Sequence, residues 1–115
     1  MKNLYWQRLD KLIKTSEIVI DHPKGTAHQK YPNLIFPLDY GYLKNTTAMD
    51  GDGIDLWIGT AKRRKLTAIV CTIDNMKKDA EVKLLIGCTE EDINTIMQVH
   101  NGKYMSGMLV RREEK

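Results

Sequence analysis

The sequence predicts one domain built mainly of strands, with a helix toward each end. Three observations carry this. The 115 residues amount to a single domain, 1–115. Short apolar, often β-branched runs recur between turn residues. Only two stretches, near residues 4–14 and 89–99, keep helical spacing of their apolar side chains. Periodicity alone reaches no further than a mixed α and β domain.

Leu4 to Lys14 sets Tyr5, Leu9, Leu12 and Ile13 on one face, with Arg8, Asp10 and Lys11 elsewhere, which is helical. Glu17 to Asp21 is short and β-branched, hence a strand. Pro23, Gly25 and Pro32 punctuate the next stretch, so 22–29 is expected to turn before a short pairing. Tyr40 to Thr46 and Ile54 to Gly59 read as strands flanking an acidic loop, and Lys62 to Lys65 as a solvated connection. Leu66 to Ile73 and Ala80 to Gly87 read as buried strands. Thr89 is a good N-cap, with Glu90, Glu91 and Asp92 in the first turn and Ile93, Ile96, Met97 and Val99 as the apolar face. Asn101-Gly102 is a stop signal. Tyr104 to Arg112 forms one more edge strand or frays.

Composition bounds the function. Hydrophobic residues are 42% and charged residues 29%, a balance that argues against disorder. A net charge of +3 is too mild to argue for nucleic acid by itself, although Lys62-Arg63-Arg64-Lys65 is locally basic. No apolar run approaches the ~20 residues a bilayer demands, and the N-terminus has no apolar signal core. The two cysteines, Cys71 and Cys88, stand in apolar surroundings without a CxxC pairing. They read as small buried hydrophobes in a reducing cytoplasm, which is the expected compartment.

The chemistry concentrates in Phe36-Pro37-Leu38-Asp39-Tyr40-Gly41-Tyr42, followed by Asp50-Gly51-Asp52-Gly53-Ile54-Asp55. Three carboxylates fall within six residues, separated by two glycines that let the backbone turn and the side chains converge. Carboxylates so close repel one another unless a hard cation sits between them, and an oxygen-only set suits Mg²⁺, Mn²⁺ or Ca²⁺ rather than zinc or copper. An EF-hand calcium loop does not fit. Counted from Asp50, its fifth, sixth and twelfth positions would be Ile54, Asp55 and Ala61, where Asp or Asn, Gly and Glu are needed. A solvated turn would explain DGDG alone, but not the aromatic run beside it.

In these two runs the chain resembles the soluble, metal-dependent inorganic pyrophosphatases, whose motifs are Tyr-Pro-x-x-Tyr-Gly-Tyr and then Asp-Gly-Asp-Pro-x-Asp at this spacing. Ile18 to Pro23 is similar to that family's opening strand, and Lys30-Tyr31 stands where the family has a substrate-binding Lys-Tyr. The resemblance spans roughly residues 17 to 104 in motif order. It implies a five-stranded OB-like β-barrel and Mg²⁺-dependent (or Mn²⁺-dependent) hydrolysis of pyrophosphate to two orthophosphates. It further implies a homo-oligomer, for which Trp6 or the apolar face of the first helix would offer an interface, and neither a nucleic-acid nor a membrane partner.

By the same resemblance Asp50, Asp52 and Asp55 hold metal, Asp52 also accepts a proton from the attacking water, and Tyr40 lies near the nucleophile. Lys30 and Tyr104 contact substrate phosphate. A second acidic cluster fits in two registers. One pairs Asp74 with Asp79 and reaches Lys83 after extra residues. The other sets Asp79, Glu81 and Lys83 on one strand face at period two, with Asp79 and Glu81 on metal and Lys83 on substrate. The second is preferred because Lys83-Leu84-Leu85-Ile86 then opens the apolar strand in the family's manner.

The chain departs from the family at Pro32, where an acid is expected, at Phe36, which lacks the Tyr hydroxyl, and at Gly53, a proline in the motif that is expected to loosen the loop. No phosphate-binding arginine fits between Lys30 and Phe36, and Lys103-Tyr104 reverses the family's Tyr-Lys order. Two other functions compete: hydrolysis of another phosphoanhydride in an altered phosphate pocket, and a non-catalytic OB module for single-stranded nucleic acid. The last needs exposed aromatics beside a basic groove, whereas only 7% of residues are aromatic and many of these lie in the motif or first helix.

Overall fold

The computed structural model describes residues 2–112. Helix α1 (Tyr5–Lys14) leads into β1 (Ile18–His22), β2 (Asp39–Leu43), β3 (Ile54–Ile58), β4 (Leu66–Asp74) and β5 (Asp79–Ile86). Helix α2 (Glu90–Val99) and β6 (Met105–Arg111) complete the chain. All six strands belong to one sheet, ordered β1-β2-β3-β5-β4-β6. The mainly β expectation with flanking helices holds. The five-stranded barrel does not: residues 105–111 form a full sixth strand along β4, and the sheet stays open, with β1 and β6 as its two edges.

Every neighbouring pair is antiparallel except β3 with β5, which run parallel through Leu56↔Leu84, Trp57↔Leu85 and Ile58↔Ile86. Strand β5 returns from the β4 hairpin and inserts beside β3. Its side chains alternate between the sheet's two faces. Leu56, Ile58, Leu84 and Ile86 join Leu43, Leu66 and Ile69 on one face, against Trp6, Leu9, Leu12 and Ile13 of α1. Trp57 and Leu85 join Phe36, Ala68 and Val70 on the other, against Ile93 and Ile96 of α2. With both faces covered, β4 and β5 read as continuous apolar runs rather than alternating ones. The apolar face of α1 packs on the chain's own sheet, where Trp6, Leu9, Leu12 and Ile13 are half-buried, and Leu4 and Tyr5 remain exposed.

Helix α2 is anchored at its first turn. Thr89 Oγ1 accepts from Asp92 N, and Asp92 Oδ2 accepts from Thr89 N, Thr60 N and Thr60 Oγ1. This capping box therefore also fixes the end of β3. The helix ends at Val99 with His100 as its C-cap, one turn residue earlier than Asn101-Gly102 suggested. Between β1 and β2, residues 23–36 fold back on themselves through Gly25 N→Phe36 O, Phe36 N→Thr26 O and an Ala27↔Ile35 bridge. Lys24 N→Asp39 Oδ1 ties this arm to the start of β2. The basic run 62–65 makes the β3–β4 connection, where Arg63, Arg64 and Lys65 share a shallow cleft with Lys14, Asp10 and Arg112. No helix among the described residues is long and apolar enough to cross a membrane.

Candidate functional site

Gly41, at the centre of the Tyr-Gly-Tyr run, explains how the site is framed. A Cβ there would collide with the Val19 carbonyl and the Ile20 backbone, so only glycine lets β1 close on β2. Tyr40 and Tyr42 flank it and point to the opposite, α2-facing side, where Tyr42 pairs with Asp55 and Tyr40 with Trp57 across β3.

The acidic loop hangs between β2 and β3. Thr46 Oγ1 donates to Leu43 O and accepts from Ile54 N, clamping the loop's base. Within it, Asp50 Oδ1 accepts from Asp52 N, and Gly51 takes a left-handed φ of 88°. Gly53 does not loosen this loop. A Cβ there would stand 2.8 Å from the Tyr42 ring and 2.9 Å from Leu43 O, so glycine is required by contact. The three loop carboxylates line one cleft of about 490 Å³ together with Asp21, His22, Tyr40 and Tyr42. Asp50 and Asp52 are exposed and Asp55 is half-buried.

At the inner end of that cleft lies a tight polar cluster. The buried Lys83 ammonium donates to Tyr40 OH at 2.8 Å, to Asp55 Oδ2 at 3.0 Å and to Glu81 Oε1 at 3.0 Å. Its partners come from three different strands, β2, β3 and β5 itself. Burial works against the ammonium's charge, but Tyr40 and Asp55 outweigh it and hold the group above the ordinary lysine range. Burial lifts the Tyr40 hydroxyl well above its usual value, Asp55 adds to this and Lys83 partly offsets it, so the phenol stays protonated at neutral pH. Burial also raises Glu81, with Lys83 opposing and Asp55 reinforcing. One cation here faces two carboxylates.

The structure thus brings Asp50, Asp52, Asp55, Tyr40, Glu81 and Lys83 to one region. It does not bring the others. Lys30 is exposed on the arm, with its backbone N–H on His28 Nδ1, and lines neither this cleft nor the adjoining one. Asp79 pairs with Asp74 at the mouth of the β4–β5 hairpin and does not line the acidic cleft. Asp74 is an anchor of that turn: its Oδ1 accepts from Met76 N and Lys77 N. Tyr104 lies across the adjoining cleft, 44% exposed.

Sequence reasoning missed Asp21 and His22 as cleft residues, and the Trp57–His100 pair that floors the neighbouring cleft. The available signal for the first two was their position, directly before Pro23 at the end of the strand that pairs with the Tyr-Gly-Tyr strand. Trp57 Nε1 donates to His100 Nε2 at 3.0 Å, which puts the imidazole proton on Nδ1, 3.5 Å from the Met105 sulfur. Burial, then the Lys83 charge, lowers the His100 pKa to about 4.

The donor set suits a hard divalent cation in its chemistry: four carboxylates on one cleft, with His22 as the single nitrogen donor beside them. Among the described residues, no three His, Cys, Asp or Glu side chains are yet drawn together tightly enough to hold one. Of the cleft's three exposed carboxylates, Asp50 and Asp52 belong to the loop and Asp21 to β1.

The fold is similar to that of an inorganic phosphatase from Anaplasma phagocytophilum, with a TM-score of 0.61, 14% identity, and 82% of each chain covered. No protein-family model matches the chain, and no curated protein does. At this identity the likeness speaks for the fold.

Proposed function

We propose that the chain is a divalent-metal-dependent phosphoanhydride hydrolase, with inorganic pyrophosphate split to two orthophosphates as its basic reaction. The observation that carries this is the meeting of Asp50, Asp52 and Asp55 with Tyr40 on one cleft, backed by Lys83. The motif resemblance and the phosphatase-like fold point the same way. A cleft with four carboxylates repels a multiply charged anion, so productive binding demands added positive charge. Mg²⁺ or Mn²⁺ on Asp50, Asp52 and Asp55, with Glu81 adjoining, would supply that charge, acidify bound water and polarise the phosphorus.

The chain's own side chains do the rest. Asp52, exposed at the cleft mouth, takes the proton of the attacking water. The protonated Tyr40 hydroxyl, oriented by Lys83, serves as a neutral hydrogen-bonding group beside the reacting phosphate and not as a base. Lys83, whose three N–H groups go to Tyr40, Asp55 and Glu81, offsets the charge of the two carboxylates and so lowers the repulsion a phosphate beside Tyr40 would meet. Phosphate release from pyrophosphate, measured with Mg²⁺ and again after chelation, tests the reading. Release should require the metal, and its absence from neutral to alkaline pH would refute the assignment.

A further inference from the structure

A second cleft, of about 500 Å³, opens beside the acidic one and shares His22 and Tyr40 with it. Inorganic pyrophosphate has no apolar surface and gives no reason for such a cavity, whose volume falls in the ordinary range for organic ligands. Its walls are rings. His22 stacks on Phe36 with centroids 4.5 Å apart at 12°, and His28 lies parallel to His22 at 6.2 Å. Tyr31, Met76 and Tyr104 stand at the mouth, 50%, 60% and 44% exposed. Large exposed apolar side chains gathered on the rim of one cavity are the surface pattern of a binding site.

The charge of this cleft is the reverse of its neighbour's. Lys77 and Lys103 line it, with Lys83 at its inner end already held by Asp55 and Glu81, and its one lining carboxylate, Asp74, has its Oδ1 occupied by two backbone N–H groups. Burial, and after it the nearby His22, Lys77 and Lys30, lowers the pKa of His28 and favours a neutral ring on this wall. Flat aromatic walls with ammonium groups on the path to the acidic loop are complementary to a planar base carrying phosphates.

We propose that this cleft holds the base of a nucleoside phosphoanhydride, a nucleoside di- or triphosphate, whose phosphates reach the acidic cleft past Tyr40 and Lys83. The proposal rests on the hydrolase reading of the acidic site and narrows its substrate class. The reaction stays balanced. A water oxygen bonds to one phosphorus, the bridging P–O bond breaks and its electron pair leaves on the other phosphate, and the water's proton passes to Asp52. ADP then gives AMP and orthophosphate.

The test compares ADP, ATP and pyrophosphate as substrates with Mg²⁺, and measures AMP binding by calorimetry, in the wild type, Met76→Glu and Tyr31→Ser. Both substituted side chains are exposed rim groups, so the fold should persist. The nucleotides should exceed pyrophosphate in kcat/KM by roughly tenfold; Tyr31→Ser should remove most of that gain through KM, since one good stacking contact is worth about that factor. Met76→Glu, which sets a carboxylate on the rim, should weaken binding of the nucleotides and AMP while leaving pyrophosphate turnover unchanged. If pyrophosphate is hydrolysed, the nucleotides are no better and AMP does not bind, the aromatic-cleft proposal falls and the hydrolase reading stands. If no substrate yields phosphate but AMP binds, and binds more weakly to Met76→Glu, the hydrolase reading falls and the cleft's ligand class stands. No AMP binding together with no nucleotide preference overturns the proposal in every case.

Discussion

Protonating His100 should destabilise this protein from within its aromatic floor. The imidazole is 5% exposed, and its Nε2 lone pair accepts the Trp57 indole N–H. A proton on Nε2 would remove that acceptor and place a cation near Lys83. The folded pKa of about 4 lies below the ordinary value of 6.5. Between those values the unfolded chain binds the proton and the folded chain does not, so stability rises with pH across this window. His100 costs no stability above pH 6.5, and its full penalty is reached near pH 4. At 1.36 kcal/mol per unit, the shift is worth about 3 kcal/mol, a sizeable part of a small domain's total. Urea unfolding at pH 7, 5.5 and 4 would measure it, with His100→Gln as the reference because a Gln oxygen can still accept from Trp57. Carboxylates such as Asp10 and Asp92, whose pKa values are lowered, weaken both proteins in acid alike. The difference between the two proteins isolates His100: the wild type should lose about 3 kcal/mol more than the variant between pH 7 and 4. Parallel pH profiles would refute the reasoning.

Asp52→Asn and Asp55→Asn should each lower Mg²⁺-dependent phosphate release by about 100-fold or more with an unchanged circular dichroism spectrum, since each removes charge and keeps shape; a variant retaining most of the rate would remove its residue from the site. Glu81→Gln should raise the Mg²⁺ concentration needed for half-maximal rate, whereas Asp74→Ala should leave that titration in place and cost about 1–2 kcal/mol in thermal unfolding through its two lost turn hydrogen bonds. The opposite pattern would restore the register that pairs Asp74 with Asp79. Gly41→Ala should cost about 3 kcal/mol or more, because its methyl meets the Val19 carbonyl and β1 must retreat; a near-native melting temperature would contradict the steric argument.

The parts legible in the sequence were those governed by local rules. Thr89 with Asp92 three residues on marked the start of α2, and the β-branched runs marked β1, β4 and β5 within a residue or two. The motif carboxylates were visible because they lie close in sequence. What escaped depends on contacts between distant segments. Whether 105–111 pairs or frays is decided by β4, whose far edge is free to receive it. Gly53 read as a loosened proline position, yet its reason is the Tyr42 ring across the strand pair. Asp21 joins Asp50 and Asp52 only because β1 folds against β2, and Tyr40 meets Lys83 across 43 positions of chain. The helical spacing of α1 announced an apolar face but could not say that the chain's own sheet would take it.

The insertion of β5 beside β3 divides the candidate site between two halves of the chain. Tyr40 and the acidic loop belong to the segment before residue 59, while Glu81, Lys83 and His100 belong to the segment after residue 66. The strands of the two halves join along one short parallel ladder of three residue pairs. The site therefore straddles a seam. Neither half carries the whole set of site residues, and a slip of one residue along that ladder would point Lys83 and Glu81 at the face of the sheet opposite Tyr40 and Asp55. Chemistry at this site is thus a readout of correct docking between the halves: a chain mispaired at the seam, even with each half well formed, would hold Tyr40 and the loop carboxylates on one side and Lys83 with Glu81 on the other.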